Sequence, residues 1–362
     1  LESGSVLSAG TWTVRGVVDA VANGQAMGLV RIGTDGDMTI RGNSAAGANV
    51  ILDGGTLRAS EATRLGGLDF TLGGVLIREG ATETLQLAGP LIVQGVNVDL
   101  DAWKMDTAEA VITATNGYWV STTGDLSAVS ARITGPMFRV GGALSVSNVL
   151  SLEDVTVTNP ITGDAMVIVG EGRTRDQLVW LTGSNSFRGK VQIERGTLRA
   201  VPGWGLPDDA GAGFLDFSGD SAGWHATLEG SGFLARNIGQ GPRNVYWSGH
   251  GGFAARGGDF DVILNDGAQI TWSATNGFQG FNLYLNSTSA THVTTLHNPL
   301  MVNGTYGLRV FDNPFTNSDY ARLTGTIAMD NTTRILQKVE AGMVWLTGTN
   351  TFAGRLQIDD GV

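Results

Sequence analysis

Apolar residues alternate with polar ones in short bursts along this chain. "TLQLAG" places Leu85 and Leu87 on one face. "VNVDL" does the same with Val96, Val98 and Leu100, "VTVTN" with Val155 and Val157, and "LRVFD" with Leu308 and Val310. A period of two is the signature of a strand with one face buried. No stretch of about ten residues carries apolar positions at i, i+3, i+4 and i+7, so helices are not expected. Turn-forming clusters separate the bursts: "GTDGD" at 33–37, "NDG" at 265–267, "TNG" at 275–277 and "FDNP" at 311–314. The pattern predicts an all-β protein of many short strands and tight turns.

Internal repetition selects among all-β architectures. "VWLTGSNSFRGKVQIERGTLRA" at 179–200 returns as "VWLTGTNTFAGRLQIDDGV" at 344–362, with 11 of 19 overlapping positions identical and an offset of 165. "VILDGGTLRAS" at 50–60 echoes "VQIERGTLRAV" at 191–201, at an offset of 141. Unequal offsets argue against a propeller, whose blades share one length. A solenoid accepts them, because insertions become loops on its outside. At a generic turn of about 20–25 residues the chain makes roughly 15 rungs of a parallel β-helix. Residues 1–362 are expected to form one continuous β-solenoid, with divergent rungs over 1–170 and the two repeats within 171–362. Asn185 and Asn350 recur between a hydrophobic run and a phenylalanine. They are expected at corners, with Phe187 and Phe352 pointing inward.

The repeated residues resemble the autotransporter-associated β-strand repeat. Trp180 leads into Leu181, Thr182, Gly183, Asn185, Phe187, Gly189, Ile193, Gly196, Thr197 and Leu198. Trp345 leads into Leu346, Thr347, Gly348, Asn350, Phe352, Gly354, Ile358 and Gly361. The run-up at 335–345, "ILQKVEAGMVW", is similar to the Leu-x-Lys-x-Gly-x-Gly-x-Leu lead-in of that family, with Val339-Glu340 where the first glycine usually stands. The first copy, "EGRTRDQLVW", lacks the lysine. The resemblance implies a right-handed parallel β-helix, exported or displayed at the cell surface by a Gram-negative bacterium. It implies a stalk or passenger with no catalytic residues in the repeat itself, and a membrane translocator that does not lie within these residues.

Composition narrows the function classes. Glycine is 54 of 362 residues and charged residues are only 16%, which suits turns and strands rather than disorder. Net charge is −11, and no basic stripe marks a nucleic-acid surface. Cysteine is absent, which excludes disulfides, Cys-ligated zinc and thiol nucleophiles. No apolar stretch reaches the ~20 residues of a membrane helix, so no membrane insertion by this segment is expected. The opening "LESGSVLSAG" has neither the basic nor the apolar region of an export signal.

Parallel β-helices also include carbohydrate enzymes, whose chemistry needs carboxylates and histidines that converge. Gly249-His250-Gly251 with Asp208 and Asp209 could supply acid–base groups only if they converged on one face. Asp208 and Asp209 lie about forty residues upstream of His250 without the flanking residues such sites carry, so an exposed turn and a loop histidine are expected. His292 and His297, five apart in "THVTTLH", suit neither one strand face nor a zinc helix, and His225 stands alone. "GTDGD" and "NDG" are single rather than tandem, against a calcium-binding roll. No catalytic residue, cofactor or metal is therefore expected. Trp180 and Trp345 share one repeat position and are expected to be structural. Trp12, Trp103, Trp119, Trp204, Trp224, Trp247 and Trp272 are scattered, and any that are exposed could stack on surface glycans or dock proteins. The sequons at Asn286, Asn303 and Asn331 are expected to be turn residues.

The second repeat stops at "IDDGV", where the first runs on into "LRAVPG". Writing Val362 onto Leu1 gives "QIDDGV|LESGS", and Leu1 falls where Leu198 stands in the first copy. Head-to-tail or tandem continuation between copies is the resulting expectation, with self as the partner.

Overall fold

The computed structural model describes residues 178–220 and 226–362, residues 143–170 except 159, and the strands lying between 11 and 139 together with residue 53. Among the described residues every pairing between strands is parallel, as in the ladder of Leu283–Leu285 with Thr305–Val310. The one helical element among the described residues is the single 3-10 turn Asn265–Gly267. The protein is thus all-β, with parallel strands in stacked sheets. Short strands joined by corners produce this arrangement because each turn of chain buries its apolar face only against the turns beside it.

Two compact units divide the chain, Leu1–Ala165 and Met166–Val362. In the first, Thr11–Val21 lies on Leu29–Arg41. Residues 29–32 of that strand carry Asn49–Leu52, while 37–40 carry Thr56–Ser60. Later in the unit Lys104–Thr113, Leu126–Thr134 and Leu144–Glu153 follow one another. Successive turns advance by 18 residues from Thr11 to Leu29 and by 17 from Leu144 to Ile161. "GTDGD" at 33–37 is not a turn between strands. It lies inside Leu29–Arg41, where three residues, 33–35, face the single Arg15 of the neighbouring strand. The glycines and aspartates there serve a bulge, which demands the same backbone latitude as a turn. Within the echo at 50–60 the described core positions match their counterparts. Val50, Leu52 and Leu57 are buried, as are Val191, Ile193 and Leu198.

In the second unit, Met166–Val169, Val191–Ile193, Leu215–Phe217 and Val245–Trp247 form one ladder. Leu178–Leu181, Gly196–Arg199, Ala226–Arg236 and Gly251–Leu264 form another. The second ladder then forks. The first half of Gly251–Leu264 carries Leu283–Leu285, Thr305–Val310, Ile335–Val339 and Arg355–Ile358. Its second half carries Thr294–Leu296, Ala321–Leu323 and Val344–Leu346. A third ladder stacks Ile270–Thr271, Leu300–Val302, Ile327–Met329 and Thr351–Phe352. The turns from Ile270 to Leu346 each contribute three strands, and the earlier ones two. Turn length ranges from 19 residues, Leu178 to Thr197, to 34, Phe260 to Thr294. Val155, Val157, Leu308 and Val310 all face the core.

An aromatic cluster fills the middle of this unit. Trp247 packs against Phe217, Phe253 and Phe278 with ring centroids 5.2, 6.0 and 4.9 Å apart. Phe278 passes the contact to Trp272 at 5.0 Å, and Trp272 stacks on Tyr306 at 5.5 Å. Both indoles are fully buried, and both find an acceptor: Trp247 Nε1 donates to the Gly251 carbonyl and Trp272 Nε1 to that of Phe281. These two tryptophans are core residues and offer no ring to a ligand. The strands bearing Trp12, Trp119, Leu85 and Leu87 are described but their side chains are not. Leu1, Val96, Val98, Leu100, Trp103, Trp224 and His225 lie outside the described residues.

Candidate functional site: the repeated turn

The first copy begins on Leu178–Leu181. Alternation sends Val179 and Leu181 into the core and leaves Leu178 and Trp180 outside. At Gly183 the chain leaves the strand for a corner that includes Asn185. The Asn185 backbone amide donates to the Trp204 carbonyl at 2.9 Å, and its Nδ2 donates to the Gly205 carbonyl at 2.7 Å. Asn185 is buried, so both bonds satisfy polar groups that folding removes from solvent. Phe187 is buried. Gly189 approaches the next turn so closely that a Cβ on Gly213 would lie 2.0 Å from its carbonyl oxygen. After Val191–Ile193, Gly196 adopts φ +99° and turns the chain into Gly196–Arg199. That strand pairs with the one that opened the motif, Leu178 opposite Thr197 and Val179 opposite Leu198. The repeated stretch is therefore one complete turn that closes onto itself, rather than a strand, a corner and a second strand in sequence.

The second copy closes in the same way. Val344 and Val362 correspond to Val179 and Thr197, and the Val344 amide donates to the Val362 carbonyl at 2.8 Å. Gly361, the counterpart of Gly196, has φ +70°. Asn350 again marks a corner, with Oδ1 accepting from the Ile327 amide at 2.9 Å. Asn185 thus ties its corner to the following turn and Asn350 to the preceding one. Gly348 and Gly354 sit where a Cβ would lie 2.3 Å from the Gly325 carbonyl oxygen and 2.4 Å from that of Arg334. Leu346 is half-buried, and the Thr347 amide donates to the Leu323 carbonyl. Phe352 departs from the inward expectation. It is exposed, because no described strand packs over that side of Thr351–Phe352.

The lead-in lysine has a definite task. Lys338 is buried, and its Nζ donates to the carbonyls of Glu340 and Asp360, the latter at 2.7 Å. It thereby ties the entry of the turn to its exit. Burial lowers its pKa below the ordinary lysine value, while the nearby Asp360, Glu340 and Asp312 oppose that shift. Glu340, standing where the lead-in usually has glycine, carries φ +72°, a conformation that glycine adopts at no steric cost.

The two copies do not occupy the same column of strands. Val179 is in register with Leu198, Leu228 and Phe253, whereas Val344 is in register with Ala321, Thr294 and Phe260. Phe253 and Phe260 lie on the two halves of Gly251–Leu264. One sequence thus serves two positions around the turn. The motif encodes a turn, not a patch at a fixed place on the surface.

The family of passenger-associated-transport repeats matches residues 181–200 and 336–362. The chain carries two passenger-associated-transport repeats. The second match takes in Lys338 and Glu340, so the lead-in belongs to the repeat. No curated protein and no solved structure matches the chain.

Outside the repeats, the residues weighed for catalysis have separate tasks. His250 Nδ1 accepts from the Asn282 amide at 2.9 Å. Asp208 pairs with Arg236 and Arg243, each at 3.2 Å, and Asp209 Oδ1 accepts from the Gly211 amide. His297 Nε2 meets Asp261 at 2.8 Å and His292 meets Thr291. Among the described residues no three His, Asp or Glu side chains gather as a metal would require. Asn286 is buried with both ends of its amide bonded, to Asp319 and Thr294.

One feature has no signal in the sequence pattern, a polar chain that crosses several turns. The Trp180 ring lies 5.1 Å from the Arg199 guanidinium, and Arg199 pairs with the fully buried Glu229. Glu229 Oε1 accepts from Ser287 at 2.9 Å and from Ser289 at 2.6 Å. Trp345 makes a comparable contact, stacking on Tyr320 at 4.4 Å. Trp204 is largely exposed, with Nε1 donating to the Thr182 carbonyl.

Proposed function

We propose that this chain is a non-enzymatic, extracellular structural segment of an autotransporter passenger, a right-handed β-solenoid of roughly 15 turns serving as a surface stalk or fibre. The observation that carries this reading is the self-closing turn. A repeat whose shared residues serve tight corners and backbone pairing supports a scaffold. The family match supports export to the surface of a Gram-negative cell. Load on such a scaffold is shared over many interstrand hydrogen bonds.

Head-to-tail association with other copies of itself is part of the proposal. Negative-stain imaging with sedimentation tests this reading. Uniform fibres that lengthen with protein concentration are the expected result, and compact particles of fixed mass at every concentration would contradict stacking. An adhesive role is the second reading, favoured by the half-exposed Trp180 and Trp204. Glycan binding lost on Trp180→Ala would promote it over the first.

A further inference from the structure

His250 sits where three turns of the second unit meet. It follows Val245–Trp247, and its backbone amide bridges back to the Gly219 carbonyl at 2.7 Å. Its imidazole reaches forward to the next turn, where Nδ1 accepts the Asn282 amide proton at 2.9 Å. Asn282 is itself a junction. Its carbonyl accepts from Gly251, and its Oδ1 accepts from the Gly307 amide one turn further on, at 3.1 Å. The imidazole is flanked by Phe281, edge-on at 5.4 Å, and by Tyr284, stacked at 6.4 Å.

The geometry fixes the protonation state. An imidazole nitrogen that accepts a backbone N–H cannot also carry a proton. Protonation of Nδ1 would set two donors against each other at hydrogen-bond distance. The charged surroundings add to this. Arg309 lies over Tyr284 with its guanidinium 5.9 Å from that ring, and it pairs with Glu340 at 3.5 Å. Asp220, which also acts on the ring, is paired with Arg195 at 3.0 Å. Burial, with Arg309 as the second cause, holds the His250 pKa below the ordinary histidine value, and Asp220 opposes this only in part.

We propose that His250 is an acid-sensitive latch: its neutral ring holds the Asn282 corner closed, and protonation releases that corner while the turns beyond it stay folded. The sign follows from linkage. A histidine whose folded pKa is depressed contributes stability that is complete above about pH 6.5, its unfolded value, and is lost as pH falls through the folded value. Opening exposes the ring to water and lets it bind the proton, so acid favours the open corner. Turns of a solenoid can open locally without global unfolding, which confines the effect.

Hydrogen exchange at the Asn282 amide tests the latch on the intact chain. After correction for intrinsic rates, protection at Asn282 is expected to fall by up to about tenfold per pH unit below pH 6.5, the limit for one linked proton. Protection in the aromatic core at Phe260 and Trp272 should not follow it. His250→Asn offers Oδ1 as an acceptor that does not titrate, so this variant should keep Asn282 protected and flatten the pH profile. The imidazole of the unaltered chain, followed by NMR, should titrate below the ordinary histidine value and in step with Asn282 exchange. A flat Asn282 profile in the unaltered chain would overturn the proposal. So would an equally steep profile in His250→Asn, or a ring that titrates at its ordinary value without affecting Asn282.

Discussion

Replacing Trp247 with alanine is expected to cost about 3–5 kcal/mol, the range for removing a large aromatic from a packed core. The indole is fully buried and touches Phe217, Phe253 and Phe278. Those rings come from three separate segments of the second unit, so the vacancy cannot be closed by moving one loop. The Gly251 carbonyl also loses the indole donor. Because each turn is stabilised by its neighbours, the loss should appear first as a lowered midpoint for the second unit. Denaturant unfolding followed by circular dichroism measures it. A loss below about 1 kcal/mol would mean that the ring is not a core element, given the usual cost of such cavities.

Glu229→Ala is the second large effect, expected near 3 kcal/mol. Removing one partner of a buried ion pair leaves the other charge uncompensated. Here the change strands the Arg199 guanidinium, only 13% exposed, and takes the acceptor from Ser287 and Ser289. Glu229→Gln keeps an acceptor oxygen for the two serines and should cost less. The Trp180 ring rests against Arg199, so Glu229→Ala should also shift tryptophan emission. Thermal unfolding of the two variants side by side separates loss of charge from loss of acceptor. Equal stability of Glu229→Ala and the unaltered chain would remove this polar chain from the list of features that hold the turns together.

The legible and illegible parts of the structure divide by range along the chain. The alternation of Val179 and Leu181 against Leu178 and Trp180 is local, and the structure reproduces it as written. Gly196 and Gly361 were visible as repeated letters, and their positive φ explains why glycine stands there. "GTDGD" misled because a bulge and a turn make the same demand on the backbone. The fork at Gly251–Leu264 could not be read from "GGFAARGGDFDVIL", because its two halves pair with strands 32 and 34 residues further on. Glu229 meets serines 58 and 60 residues downstream. No periodicity spans such a distance, so nothing in "ATLEGSG" marks Glu229 as buried. Lys338 was visible as a letter of the lead-in, but its two carbonyl partners became visible only in the folded turn.

That the passenger-associated repeat is one self-closing turn is the claim on which the rest depends. The chain has no cysteine, so introduced pairs report on register without interference. Leu178 and Thr197 are direct partners on adjacent parallel strands, whose spacing of about 4.8 Å lies within the Cα separations that a disulfide spans. Oxidation of a chain carrying Leu178→Cys and Thr197→Cys should give a near-complete intramolecular crosslink under native conditions. A chain carrying Leu178→Cys and Arg199→Cys, two residues out of register, should crosslink poorly. The reverse order, or equal yields from both pairs, would contradict closure of the turn.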